Sequence, residues 1–157
     1  MEGRTDLTYD RIGSGYTLKR QTAERLAQQI RRALGDADSI VNVGAGSGSY
    51  EPVGIRVVGV EPATTMIRLR GTHAAPVVRG LAEALPFAAD AFDAALAMLT
   101  VHHWADWRAG LREMVRVARK RGVIFTWAPA SGGRGIRGHM PDPLSRGAGD
   151  LPLLLQL

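Results

Sequence analysis

Three closely spaced glycines and one acid further along the chain are the residues best suited to chemistry in this sequence. Gly44, Gly46 and Gly48 follow a short apolar run at 40–43, and Glu61 ends a second apolar run at 57–60. Glycines allow left-handed backbone angles and let main-chain N–H groups approach a ligand closely. A carboxylate at the end of the next strand can accept hydrogen bonds from the hydroxyls of a ribose. The pattern therefore predicts that this edge of a sheet binds a nucleoside.

Two cofactor classes compete for such a loop. In a dinucleotide loop of the form GxGxxG, the third glycine would fall on Ser49, and the loop would lead into a helix that holds the pyrophosphate. Only residues 50–56, with Pro52 and Gly54 among them, separate the loop from the next strand, which is too few for a crossover helix. A nucleoside without a phosphate fits better, and S-adenosylmethionine is the common one. An NAD-dependent oxidoreductase and a tight turn without a ligand are the alternatives.

Composition indicates an ordinary globular protein. The chain has 157 residues, of which 45% are hydrophobic and 22% charged, enough for one domain with a core. There is no cysteine, which excludes disulfides and thiolate metal ligands. The net charge is +5, but the basic residues are spread along the chain, so we predict no nucleic-acid partner. No apolar run approaches the ~20 residues of a membrane span, and a cytoplasmic location is expected. The oligomeric state cannot be predicted.

The hydrophobic periodicity predicts the elements that position these residues. Apolar stripes predict helices over Thr22–Leu34 and Trp107–Arg119, and a shorter helix follows Glu61. Buried strands are predicted at 40–43, 57–60, 76–80, 92–99 and 122–127. Strands that alternate with helices are typical of an α/β fold. We therefore expect a doubly wound, Rossmann-like and mostly parallel sheet of about five strands, with ligands at the carboxyl ends of the strands.

Two adjacent histidines follow the fourth predicted strand. Histidine is the residue type whose ordinary pKa is near neutral, so His102 and His103 are the candidates for a catalytic base, although such histidines more often serve in packing. As neighbours after a strand, at most one of them is expected to face an acceptor. The only other histidines, His73 and His139, do not complete a ligand cluster, and no metal site is predicted.

Four stretches together resemble the class I S-adenosylmethionine-dependent methyltransferases, and within them the type 11 group, which includes quinone-biosynthesis methyltransferases. They lie at 41–52, 57–62, 80–98 and 101–104. The third stretch, in which A-E-x-L-P-F precedes F-D at the start of a strand, is the most specific. The resemblance covers about Tyr9 to Pro129 and implies methyl transfer from S-adenosylmethionine to a small-molecule acceptor.

The resemblance also implies which residues hold the cofactor. The glycine loop would line its methionine and ribose side, Glu61 would bind the ribose, and the segment at 81–83 would meet the adenine. The implied cofactor-binding residues are Tyr9, Tyr16, Gly44, Gly46, Ser47, Gly48, Glu61, Leu81, Ala82, Glu83 and Met98. Asn42 stands where the family often has aspartate.

The chain departs from the family after the fifth predicted strand. Glycine, proline and arginine dominate from residue 130 onwards, without a period. We expect an N-terminal cap segment at 1–21, a cofactor-binding methyltransferase domain at 22–129, and an irregular or disordered tail at 130–157. The family's C-terminal hairpin is predicted to be missing, as in an altered or truncated C-terminus. A catalytically impaired, cofactor-binding fragment is therefore an alternative to an active enzyme.

Overall fold

A six-stranded sheet forms the centre of the computed structural model, which describes residues 24–128 and 151–156. Its order is β3-β2-β1-β4-β5-β6; β1 to β5 run parallel, and β6 is antiparallel to β5. The strands are β1 (Ser39–Val43), β2 (Arg56–Glu61), β3 (Val77–Arg79), β4 (Phe92–Met98), β5 (Ala118–Ala128) and β6 (Leu151–Gln156). The predicted α/β fold with five parallel strands is confirmed.

Helices cover both faces of this sheet. They are α1 (residues 24–34), α2 (Thr64–Arg68) and α3 (Trp107–Val117), with a 3₁₀ turn at Val101–His103. The apolar stripe of α1 buries Ile30 and Leu34 on one face of the sheet, and that of α3 buries Met114 and Val117 on the other. In the described part of the chain, no helix has the length and hydrophobicity needed to span a bilayer.

The boundary between α3 and β5 differs from the prediction. Asp106 caps the helix, because its side chain accepts a 3.0 Å hydrogen bond from the N–H of Ala109. However, α3 ends at Val117 instead of Arg119, and β5 begins at Ala118 instead of Gly122. Ala118 has extended backbone angles and pairs with Phe92 of β4, so sheet pairing ends the helix early.

The prediction of an irregular tail is wrong for residues 151–156. They form β6, which pairs with Val123–Ala128 at the edge of the sheet. Without such a partner, β5 would present a row of unpaired backbone groups. The run is mostly leucine, and its proline is compatible with an edge strand. The remaining tail residues, like residues 1–23, lie outside the described ranges, so the domain limits stay predictions.

An ion pair at the amino end of β4 makes the stability of the fold depend on pH. Asp93 accepts hydrogen bonds from Arg119 at 2.8 Å and from the N–H of Asp38 at 2.9 Å. These bonds hold the pKa of the Asp93 carboxyl far below its usual range. The bond from the Arg119 side chain is the larger cause, and the bond from the Asp38 N–H is the second. The stability that this group contributes is therefore complete above its unfolded-state pKa of about 3.9, and is lost as the pH falls below that value.

We therefore expect the urea midpoint of the wild-type protein to fall more steeply below about pH 4 than that of Asp93→Asn, which cannot ionise. Urea unfolding from pH 7 to pH 2.5 checks this. Parallel profiles for the two proteins would contradict it.

Candidate functional site

A cleft of about 790 Å³ opens at the carboxyl ends of β1, β2 and β4. This volume is within the range of pockets that hold small ligands and cofactors. Its walls come from the glycine loop at 44–50, from Glu61, from the segment at 81–83 and from the segment at 98–106. Regions that are far apart in the sequence thus meet where the topology of a parallel sheet places ligands.

Glu61 lies at the base of the cleft and is only 7% exposed. Its Oε2 accepts a hydrogen bond from the N–H of Gly46 at 2.8 Å, and its Oε1 accepts one from the N–H of Ala63 at 2.9 Å. A carboxylate has about four lone-pair positions, so these two bonds leave room for two more donors. The side chain therefore fits a diol and also braces the glycine loop.

The glycine loop turns back sharply onto β2. Gly44, Gly46 and Gly48 all have positive φ angles, of 70°, 52° and 87°. The N–H groups of Gly44 and Ala45 both donate to the carbonyl of Val60, at 2.8 and 3.0 Å. Residues 44–55 contain no helix, in agreement with the prediction, and a pyrophosphate would find no helix N-terminus here.

The opposite wall is mostly apolar. Leu81 is 57% exposed and lines the cleft together with the buried Ala82 and with Met98 at the end of β4. Glu83 accepts a hydrogen bond from the N–H of Asp106 at 3.1 Å. This bond joins the segment at 81–83 to the start of α3, so the two sides of the wall are held together.

Comparison with known protein families decides the identity of this fold. Residues 41–126, more than half of the chain, match the family model described as "Methyltransferase domain". The chain belongs to this methyltransferase family. The matched range holds the glycine loop, Glu61 and the other walls of the cleft.

Relatives of this methyltransferase domain differ in their named substrates. The chain is 30% identical over 127 residues to demethylmenaquinone methyltransferase from Corynebacterium kroppenstedtii, covering 74% of this chain and 56% of the relative. It is 29% identical over 129 residues to a tRNA (carboxymethyluridine(34)-5-O)-methyltransferase from Xenopus tropicalis, covering 76% of this chain and 20% of the relative.

Solved structures agree with the fold. One, from Thermotoga maritima, is described as an S-adenosylmethionine-dependent methyltransferase, possibly a histamine N-methyltransferase. Its TM-score is 0.60 at 26% identity, over 76% of this chain and 57% of that one. The chain spans between about a fifth and somewhat more than half of the length of the curated relatives it matches.

The two candidate histidines differ in whether they line the cleft. Both lie in the 3₁₀ turn, with ring centroids 4.0 Å apart. His103 lines the cleft, and His102 is not among its lining residues. In the described ranges, no group of three or more His, Cys, Asp or Glu side chains is placed to hold a metal ion.

Only some of the remaining predicted residues line the cleft. Ser47 lines the cleft, but Gly48 does not, and its positive φ instead shapes the turn behind the wall. Tyr9 and Tyr16 lie outside the described residues. Asn42 is 2% exposed in β1, and its Oδ1 has no hydrogen-bond partner in the described structure.

Several lining residues were not predicted. They are Tyr50, Met66, Leu99, Thr100, Trp104 and Asp106, among others. Tyr50 and Thr100 come just after the glycine loop and the fourth predicted strand, and that position is the signal that could have found them. Leu99 is different, because it has a φ of 53° without being a glycine, and its sequence carries no sign of this.

Proposed function

We propose that this chain binds S-adenosylmethionine in the cleft and transfers its methyl group to a small, largely apolar acceptor. The observation that carries the proposal is Glu61, which is buried beside the glycine loop with two acceptor positions left for a ribose. Membership of the methyltransferase family supports the same ligand and gives no support to an oxidoreductase.

The cleft residues divide between the two ends of such a cofactor. When bound, S-adenosylmethionine supplies an activated methyl group on a sulfonium. Leu81 and Ala82 provide an apolar surface for the adenine, and Gly44 and Gly46 allow the backbone to approach the methionine end. The task of the protein is then to hold the acceptor close and aligned, because proximity supplies much of the rate of a bimolecular displacement.

The rim of the cleft favours a small molecule over nucleic acid as the acceptor. Tyr50, Leu99 and Trp104 are apolar or aromatic, whereas Glu83 and Asp106 bring negative charge that would repel phosphates. The relative named for demethylmenaquinone acts on a compound of the favoured kind. The absence of a nucleic-acid partner and a cytoplasmic location stay predictions.

Among the histidines, we propose His103 as the group that accepts a proton from the acceptor where the reaction requires this. A His103→Gln variant should then lose on the order of 10²-fold in turnover, and His102→Gln should lose much less. Formation of S-adenosylhomocysteine with a soluble naphthoquinol measures both. Equal losses would contradict the assignment.

Thermal unfolding in the presence of ligands tests the cofactor. S-adenosylhomocysteine at 100 times its Kd should stabilise the protein by about 2.7 kcal/mol, which raises Tm by several degrees. NAD at the same concentration should leave Tm unchanged. A shift with NAD and none with S-adenosylhomocysteine would overturn the proposal. A turnover assay then separates an active enzyme from one that only binds the cofactor.

A further inference from the structure

A nearly buried ion pair lies behind the glycine loop, outside the cleft. Arg70 follows α2, Glu51 follows the loop, and their side chains are 5% and 8% exposed. Neither residue lines the cleft. Any influence of the pair on a ligand must therefore act through the residues that it holds.

The pair joins three separate segments of the chain. Arg70 donates to the carbonyl of Gly46 at 3.0 Å and to the carbonyl of Ala75 at 2.8 Å, and its guanidinium also pairs with Glu51. The second oxygen of Glu51 accepts a hydrogen bond from the N–H of Ala75 at 2.7 Å. The glycine loop, the segment after it and the segment before β3 are thus tied to one centre.

The peptide groups of Gly46 are consequently held from both sides. Its N–H donates to Glu61, which faces the cleft, and its carbonyl accepts from Arg70, which lies behind it. The turn at Gly48 packs tightly on the same centre, because an added Cβ there would lie 3.0 Å from Glu51 Oε2 and 3.3 Å from Arg70 Nη1.

We infer that Arg70 and Glu51 are positioning residues that fix the glycine loop in its cofactor-binding shape. In parallel βαβ units a crossover helix usually follows the first strand and supports such a loop. Residues 44–55 form no helix, so the loop has no support of that kind. The planar guanidinium of Arg70 supports the loop instead of a helix, since its several N–H donors reach two carbonyls and a carboxylate at once. This inference rests on the proposed function, because it concerns the same cofactor.

The test compares the affinity for S-adenosylhomocysteine among purified full-length variants. Arg70→Met should raise the Kd at least tenfold, and Arg70→Lys should lie between it and the wild type, because lysine keeps the charge but not the fork. Arg119→Met is the control for the loss of an ion-paired arginine away from the cleft, at a side chain that is 49% exposed. It removes an arginine paired with the nearly buried Asp93 at the opposite end of β4, so it should destabilise the fold and leave the Kd within twofold of wild type.

A second variant covers the case in which Arg70→Met does not fold. Glu51→Gln combined with Arg70→Met removes both charges and leaves no unpaired buried carboxylate. It should still bind at least tenfold more weakly, because the carbonyl of Gly46 has lost its donor. Binding within twofold of wild type, by this double variant or by a folded Arg70→Met, would overturn the inference.

Amide hydrogen exchange separates this inference from the proposed function. Without any ligand, Arg70→Met should speed exchange at Gly46 more than Arg119→Met does, because the loop has lost its anchor. Equal exchange in the two variants would overturn the positioning role. If the wild-type protein itself does not bind S-adenosylhomocysteine, the proposed function fails, and the exchange comparison still decides whether the pair holds the loop.

Discussion

Replacing Gly44 with alanine is expected to destabilise the domain by about 2–5 kcal/mol, because two costs add. The first is the left-handed φ of 70°, which an L side chain rarely adopts. The second is steric. A Cβ at this position would lie 2.7 Å from Thr100 Cβ and 2.8 Å from its Cγ2, and would also overlap its Oγ1. Urea unfolding of the wild-type protein and of Gly44→Ala measures the difference in the free energy of unfolding.

A glycine without these constraints is the matched control. An added Cβ at Gly71 would meet nothing within 4 Å, so Gly71→Ala should change the free energy of unfolding by less than about 1 kcal/mol. Removing the Thr100 side chain in a Gly44→Ala, Thr100→Gly double variant should relieve the steric part of the loss and leave the φ part. If Gly44→Ala were as stable as Gly71→Ala, the described loop geometry would be wrong.

Most of the residues that form the cleft walls could be predicted from local sequence patterns. The glycine loop and Glu61 could be predicted because each follows an apolar run, and parallel strands bring their carboxyl ends to one edge. The segment at 81–83 follows the third predicted strand, so its position at the same edge could be predicted in the same way. Such predictions need only the order of the strands, which alternation with helices indicates.

Contacts between distant segments could not be predicted in this way. Nothing in the sequence indicates that Arg70 turns inward to meet Glu51, because an arginine just after a short helix is usually exposed. The pairing of β6 with β5 depends equally on an edge that only the assembled sheet presents. The early end of α3 has the same cause: the N–H of Ala118 still donates to the carbonyl of Met114, but its backbone is extended and pairs with Phe92 of β4.

The largest effect on ligand binding is expected from Glu61→Ala. This change removes the acceptors for the ribose and also leaves the N–H groups of Gly46 and Ala63 without their partner. Hydrogen bonds to a charged group contribute about 1.5–3 kcal/mol each, so the loss of the two ribose bonds should weaken the binding of S-adenosylhomocysteine by about 3 kcal/mol or more, which is over roughly a hundredfold. Isothermal titration calorimetry measures the Kd directly.

Two comparisons separate ribose binding from bracing of the loop. Glu83→Ala also removes a cleft carboxylate that accepts a single backbone N–H, and it should cost much less affinity. An S-adenosylhomocysteine analogue without ribose hydroxyls should bind the wild-type protein more weakly than the parent compound, whereas Glu61→Ala should bind the two almost equally. If the variant kept the full preference for the hydroxyls, Glu61 would not be their partner, and its contribution would be limited to holding Gly46 and Ala63 in place.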